Sequence, residues 1–252
     1  MKMLHVAVYG MIGLGLILCQ APGVVANDAV VPVPRPQEWW MARHNSMNER
    51  VKQGNVDLIF IGDSITHGWE GKGKAVWDIY YGNRNAVNLG IGGDRTQHVL
   101  WRLENGNIDG ISPKLAVVMI GTNNSRDNTP EEIAEGVEAI VKKLRTALPE
   151  TKILLLAIFP RGENDDDPLR QTNMKANKLI AKLDDGKMVQ FVDINAKFLT
   201  KDRVLTRAIM PDLLHPNEKG YIIWANAIEP YVAKIFGPLP SGPQEAKDPV
   251  PA

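Results

Sequence analysis

The chain has 252 residues, with 29 Lys+Arg against 29 Asp+Glu, and its 44% hydrophobic and 23% charged residues are ordinary for a globular protein. That balance excludes a nucleic-acid binder built on a basic stripe and a polybasic membrane-surface protein. The length is that of one domain, or two at most.

Residues Val6 to Val25 hold no charge and follow a single basic residue, Lys2. The stretch is long enough to span a membrane, but Gly10, Gly13, Gly15 and Pro22 interrupt it. Val24 and Ala26 place small residues at the two positions a signal peptidase reads, before Asn27. Residues 1–26 therefore read as a secretory signal, with an uncleaved N-terminal anchor as the alternative. Leu18 is too large to precede a lipidated Cys19. Removing residues 1–26 leaves 28 basic and 29 acidic residues and no cysteine. Such a chain forms no disulfide and depends on core burial alone. The expectation is a periplasmic or secreted protein with no stable membrane insertion after cleavage.

Residues 27–36 come next, and Pro32, Pro34 and Pro36 predict a stiff, extended spacer. Short, continuous apolar runs then predict strands at 56–61, 86–89, 115–120, 153–159 and 189–192, each covered on both faces. A helical segment or a helix-opening loop follows each of them. One helix spans 94–103. The clearest spans 130–148, with Ile133, Val137, Ile140, Val141 and Leu144 on one face, Thr129 and Glu132 as a capping box, and Pro130 at its first turn. Leu169, Ala176, Leu179, Ile180 and Leu183 mark another, and a last helix runs over 217–236 with a kink expected at Pro230. Residues 237–252, with Pro238, Pro240, Pro243, Pro249 and Pro251, read as a disordered tail. One α/β domain over 37–236 follows: a three-layer α/β/α fold around a central five-stranded parallel sheet. In such sheets ligands bind at the carboxyl ends of the strands.

The residues at those ends carry the chemistry. The first strand runs into Gly62-Asp63-Ser64-Ile65, placing a hydroxyl at a strand-to-helix turn. Alone, it reads first as a helix cap, which needs no chemistry. The second ends in Gly90-Ile91-Gly92-Gly93-Asp94, where glycines let backbone approach a ligand closely, although the spacing is not a dinucleotide fingerprint. The third ends in Gly121-Thr122-Asn123-Asn124, a turn whose Asn can offer an amide N–H. Near the C-terminus, Asp212 and His215 stand three apart in Pro211-Asp212-Leu213-Leu214-His215-Pro216-Asn217. A carboxylate on Nδ1 would leave Nε2 free as a base.

Each piece is weak alone, but the ordered set Ser, Gly, Asn, Asp-x-x-His resembles the SGNH hydrolases, the GDSL-type esterase and lipase superfamily. Within it the chain looks most like the platelet-activating-factor acetylhydrolase branch, through Gly90 to Asp94, His98 to Leu103, Gly121 to Asn124, Pro160 to Glu163 and Pro168 to Gln171. The resemblance covers roughly residues 56–236 and implies a flavodoxin-like SGNH fold. It implies Ser64 as nucleophile, with Asp212 and His215 completing the triad. The oxyanion donors it implies are the N–H groups of Ser64 and Gly93 and the side-chain amide of Asn123. Ile65, Thr122 and Leu214 correspond to residues that restrict the acyl pocket to short chains. Ile65 replaces the Leu of the family's name, and Asn124 stands where many members have Asp. The signal segment departs from that branch, which is cytosolic.

These readings imply a serine esterase acting on short-chain, acetyl esters through an acyl-enzyme, with an acetylated carbohydrate as one substrate class. The alternatives are a phospholipid or lysophospholipid acyl-ester hydrolase and a non-catalytic glycan- or lipid-binding module. No cofactor is implied. No metal is expected either, since no His, Asp or Glu cluster has ligand spacing. His98 reads as a packing residue, His44 lies before the sheet begins, His67 lacks a carboxylate partner in sequence, and Asp165 to Asp167 read as a solvated loop. The partner is an ester substrate, not nucleic acid. A homodimer stays open, because the resembled subunits dimerise.

Overall fold

The computed structural model describes residues 27–239. The segment read as a signal and the tail from residue 240 lie outside the described residues.

Five strands form one parallel sheet: β1 (Leu58–Gly62), β2 (Ala86–Gly90), β3 (Leu115–Met119), β4 (Lys152–Leu156) and β5 (Val189–Val192), in the spatial order β2-β1-β3-β4-β5. The order reverses direction beside β1, which opens a crevice between the carboxyl ends of β1 and β3. Seven helices connect and cover the strands: α1 (Glu38–Lys52), α2 (Ser64–His67), α3 (Lys74–Tyr80), α4 (Thr96–Glu104), α5 (Pro130–Ala147), α6 (Pro168–Ile180) and α7 (Glu218–Phe236).

Alternate strand residues feed two cores. Ile59, Ile61, Leu89, Val118 and Leu155 pack under α1, α4, α5 and α6, against Val51, Leu103, Ile140 and Ile180. Leu58, Phe60, Val117 and Leu156 pack on the opposite face, against Trp69, Tyr81, Trp224 and Ile228 of the α3 and α7 layer. Both faces of the sheet are thus buried, which is why its strands read as unbroken apolar runs.

The capping box on α5 closes in both directions: Thr129 Oγ1 accepts from Glu132 N–H at 3.2 Å, and Glu132 Oε2 accepts from Thr129 N–H at 2.8 Å. α7 continues through Pro230 as one element. α1 escaped the sequence reading. Its buried stripe is Trp40, His44, Met47 and Val51, and a histidine in that stripe breaks the apolar pattern. The strand at 153–159 is shorter than expected: β4 stops at Leu156, and the apolar residues Ala157 to Phe159 continue as buried loop. Residues 27–36, expected as a spacer, lie against the domain. Ala29 is fully buried, its carbonyl accepts from Thr96 Oγ1 at 2.8 Å, and Asn27 Nδ2 donates to Glu135 at 2.8 Å. The acidic run is also structural: Asp167 caps α6 through Arg170 N–H at 2.8 Å, and Asp165 pairs with Arg170 and Arg203.

Two strand-end glycines let α2 sit tightly on the sheet. A Cβ on Gly62 would fall 2.2 Å from Thr66 Oγ1 and 2.4 Å from the Met119 carbonyl oxygen; one on Gly90 would fall 2.4 Å from the His67 nitrogen. The Gly90 obstacle is backbone and cannot rotate away. Gly90→Ala is therefore expected to cost about 1–3 kcal/mol and lower Tm by roughly 3–10 °C in a calorimetric scan. An unchanged Tm would show that α2 is free to shift.

Candidate active site

Ser64 opens α2 directly after β1, and Asp63 caps that helix by accepting from Ile65 N–H at 2.9 Å. His215 lies 151 positions further on, in the loop leading to α7, and its Nε2 is 2.8 Å from Ser64 Oγ. Its Nδ1 is 2.6 Å from Asp212 Oδ2. The other carboxylate oxygen, Oδ1, accepts from the N–H groups of His215 (2.7 Å) and Leu214 (3.1 Å), so the Asp-x-x-His spacing forms a closed turn. Leu213 in that turn adopts φ 58°, a left-handed conformation costly for a bulky residue. It is held there by Gly162 N–H donating to its carbonyl at 2.9 Å and by its own N–H donating to Met210 O at 2.8 Å. Burial pushes the Asp212 carboxyl up, but hydrogen bonds from the His215 ring and from the two N–H groups, with the ring's charge, hold it below the usual carboxylate range.

The loop after β2 passes close to the hydroxyl. A Cβ on Gly92 would fall 3.9 Å from Ser64 Cβ. Gly93 is exposed, with φ 77°. Asn123 is half-buried after β3, and its Nδ2 donates to the Asp94 carbonyl at 2.9 Å, leaving its second amide hydrogen unused by that bond. Among the described residues, the N–H groups of Ser64 and Gly93 have no hydrogen-bond acceptor within the fold. One hydroxyl, one imidazole and one carboxylate thus meet beside the end of β1, and Ser64, Gly93 and Asn123 lie on the segments that follow β1, β2 and β3. Such a set can activate a hydroxyl for attack on a carbonyl and receive the negative charge that develops on its oxygen.

The other expected residues sit differently. Ile65 and Thr122 are each 1% exposed. Thr122 is turned into a polar cluster, its Oγ1 accepting from Asn173 at 3.2 Å and from Arg161 at 3.3 Å. Neither offers surface to an acyl chain, because packing and hydrogen bonds already occupy both side chains. Leu214 is half-buried beside His215. His98, read as a packing residue, also accepts from Arg95 N–H at 3.0 Å at the start of α4. His44 stacks on Trp40 at 5.8 Å. His67 joins the site, with Nδ1 accepting from Gly92 N–H at 3.3 Å.

Sequence reasoning missed the support beneath these groups. Asp94 is fully buried, accepts from Trp40 Nε1 at 2.6 Å and pairs with Arg102 Nε at 2.8 Å. Arg102 is also fully buried and reaches Asn107 Oδ1 at 2.6 Å. Burial pushes the Asp94 carboxyl up and the Arg102 guanidinium down, each opposed by its partner's charge. Asn124 is buried and caps α4 by accepting from Thr96 N–H at 3.0 Å. The findable signal was Arg102 standing among Val99, Leu100 and Leu103 of α4, eight positions after Asp94. Among the described residues, no group of three or more His, Cys, Asp or Glu could hold a metal ion, and no helix is long and apolar enough to cross a membrane.

Residues 60–223 match the sequence model of the GDSL-like lipase/acylhydrolase family. The chain is 39% identical over 225 residues to platelet-activating factor acetylhydrolase IB subunit alpha2 of Rattus norvegicus, spanning 87% of this chain and 95% of that one. In fold it is similar to a GDSL-like lipase from Bacteroides thetaiotaomicron (TM-score 0.63, 19% identity, 77% of this chain and 97% of that one). It is also similar to an acetylxylan esterase from Geobacillus stearothermophilus (TM-score 0.57, 21% identity, 71% and 94%).

Asp63 supplies a pH test. Burial, with a smaller contribution from Asp94, pushes its carboxyl up to about 7. The folded state therefore holds this proton more tightly than the unfolded state, whose carboxyl titrates near 3.9. Asp63's contribution to stability is largest below about pH 4 and declines as pH rises to about 7. Asp63→Asn keeps an acceptor for Ile65 N–H but removes the titration. Urea unfolding across pH 4.5–7 should show a flatter stability profile for the variant than for the parent; parallel profiles would contradict the assignment.

Proposed function

The chain belongs to the GDSL-like lipase/acylhydrolase family and is a carboxylic ester hydrolase, and from that premise we propose that it is an exported serine esterase removing short acyl groups, acetyl above all, from acetylated carbohydrates. The observation that carries the mechanism is the relay Ser64 Oγ–His215 Nε2–Asp212, closed at 2.8 and 2.6 Å.

In the proposed reaction, His215 Nε2 takes the hydroxyl proton as Ser64 Oγ bonds to the carbonyl carbon, and the π electron pair moves onto oxygen. The Asp212 carboxylate holds the imidazole by Nδ1 and stabilises its cationic form. The N–H groups of Ser64 and Gly93 and the Asn123 amide receive the oxyanion, each donor contributing roughly 3 kcal/mol to the barrier reduction. Collapse breaks the bond to the alcohol oxygen, which leaves with the proton from His215. Water then attacks the acyl-enzyme with His215 again as base, releasing the acid and restoring Ser64.

Short acyl groups are favoured by what surrounds the nucleophile. The Ile65 carbonyl is held by Tyr221 OH at 2.7 Å, and Thr122 is tied to Asn173 and Arg161. Opening depth beside Ser64 would break those contacts. A cavity of about 530 Å³ between α6 and the residues after β5 is lined by Phe159, Asn173 and Phe191 and does not include Ser64. Export is supported by the uncharged run from Val6 to Val25 and by the absence of cysteine after Cys19. The mammalian relative is a platelet-activating factor acetylhydrolase subunit, which favours an acetylated phospholipid as the second reading. A panel of acetylated sugars and acetylated phospholipids separates the two.

Ser64→Ala is expected to reduce hydrolysis of 4-nitrophenyl acetate to a trace, and Asn123→Ala to slow kcat by about a hundredfold or more. Near-normal turnover by Ser64→Ala would falsify the relay. Among 4-nitrophenyl esters of graded length, kcat/KM should be highest for acetyl; a decanoyl preference would refute the short-acyl assignment.

A further inference from the structure

The hydrolytic relay makes no use of an exposed row of residues on its N-terminal side. Val31 is 53%, Val33 43% and Trp39 51% exposed, and Pro32, Pro34 and Pro36 are exposed among them. Large apolar side chains left in water next to a crevice mark a contact surface more often than a packing accident.

The course of this row is set at three points. The Ala29 carbonyl accepts from Thr96 Oγ1 at 2.8 Å, Val33 N–H donates to Gln97 O at 3.3 Å, and Arg35 Nη1 donates to Gly92 O at 2.7 Å. The row therefore starts where α4 meets α5 and ends on the loop that carries Gly93. There the Arg35 guanidinium lies 5.1 Å from the centroid of the Trp39 ring. A Cβ on Gly93 would fall 2.8 Å from Arg35 Nη1, so the pair borders the backbone expected to receive the oxyanion.

We propose that Arg35, Trp39 and the exposed row 31–36 form the subsite for the alcohol half of the ester, and that this alcohol is an oligosaccharide or polysaccharide chain. The proposal rests on the ester-hydrolase reading centred on Ser64. An indole face takes the apolar C–H face of a sugar ring, while guanidinium N–H groups donate to ring hydroxyls. Six extended residues span at most about 20 Å, which suits several linked sugars better than one. The prolines restrict the backbone in advance, so little freedom is lost when a ligand settles on it. Within 31–39 the charges are Arg35 and Glu38 alone, which cancel. A bilayer-docking surface would instead carry a basic cluster to meet anionic headgroups.

The test compares the parent with Trp39→Ala and Trp39→Phe on acetylated xylo-oligosaccharide and on 4-nitrophenyl acetate. Trp39 is half exposed, and an unchanged Tm checks that the variants fold. Relative to the aryl ester, kcat/KM on the oligosaccharide is expected to fall about tenfold in Trp39→Ala, mainly through KM, and to recover largely in Trp39→Phe. An unchanged ratio overturns the subsite, as does Trp39-dependent cosedimentation with phosphatidylcholine–phosphatidylglycerol vesicles. A parent active on the aryl ester but inert on the oligosaccharide overturns the sugar assignment. The ester-hydrolase reading fails separately, through Ser64→Ala retaining turnover of 4-nitrophenyl acetate.

Discussion

The site hangs on a buried ion pair. Asp94 and Arg102 are both fully removed from water and meet at 2.8 Å. Removing one partner from such a pair typically costs about 3–5 kcal/mol, because the survivor is left charged in a poorly solvating interior. Here the pair also carries geometry. Asp94 follows Gly93 directly, its carbonyl holds the Asn123 amide, and its carboxylate is fixed by Trp40 from α1. Arg102 brings α4 into the same knot and reaches Asn107. The loops after β2 and β3 are tied together by the Asn123 amide on the Asp94 carbonyl and by Thr96 N–H on Asn124, while the ion pair fixes Asp94 against α4, which keeps the candidate oxyanion donors from drifting apart.

A second constraint works from the other side of the crevice. Asp212 closes its own turn with two backbone N–H groups and then meets the imidazole. Leu213 is kept in a left-handed conformation by the Gly162 loop. The base is thus aimed by hydrogen bonds local to its turn and steadied by a neighbouring loop, while the hydroxyl is aimed by the strand-to-helix junction. The two halves meet at the 2.8 Å contact between Ser64 and His215 and are also joined by Tyr221 of α7 donating to the Ile65 carbonyl at 2.7 Å.

Legibility followed physical locality. The buried strands were readable because both faces of the sheet are covered, and α5 because its cap and apolar face agree. Ser64, Gly93 and Asn123 stood out in the sequence because each follows a strand, and Asp212 and His215 because their spacing fits one turn. Less legible were features whose meaning depends on distant partners. His44 hid α1 by standing in its apolar stripe, where its acceptability depends on stacking with Trp40. Ile65 and Thr122 were expected in a pocket beside the catalytic groups, whereas Ile65 packs into the core and Asn173 and Arg161 hold the Thr122 hydroxyl. Residues 27–36 read as a linker because proline composition reports stiffness, not contact.

The separation of 151 positions between hydroxyl and imidazole has a temporal consequence. Synthesis delivers Ser64, Gly93 and Asn123 long before the base, which enters just ahead of the final helix. A chain made only through β4 carries the Ser64 hydroxyl without the His215 imidazole. On the proposed mechanism, esterolysis has to wait until the segment leading to α7 has been made and docked, so a copy lacking that segment is silent toward the esters around it.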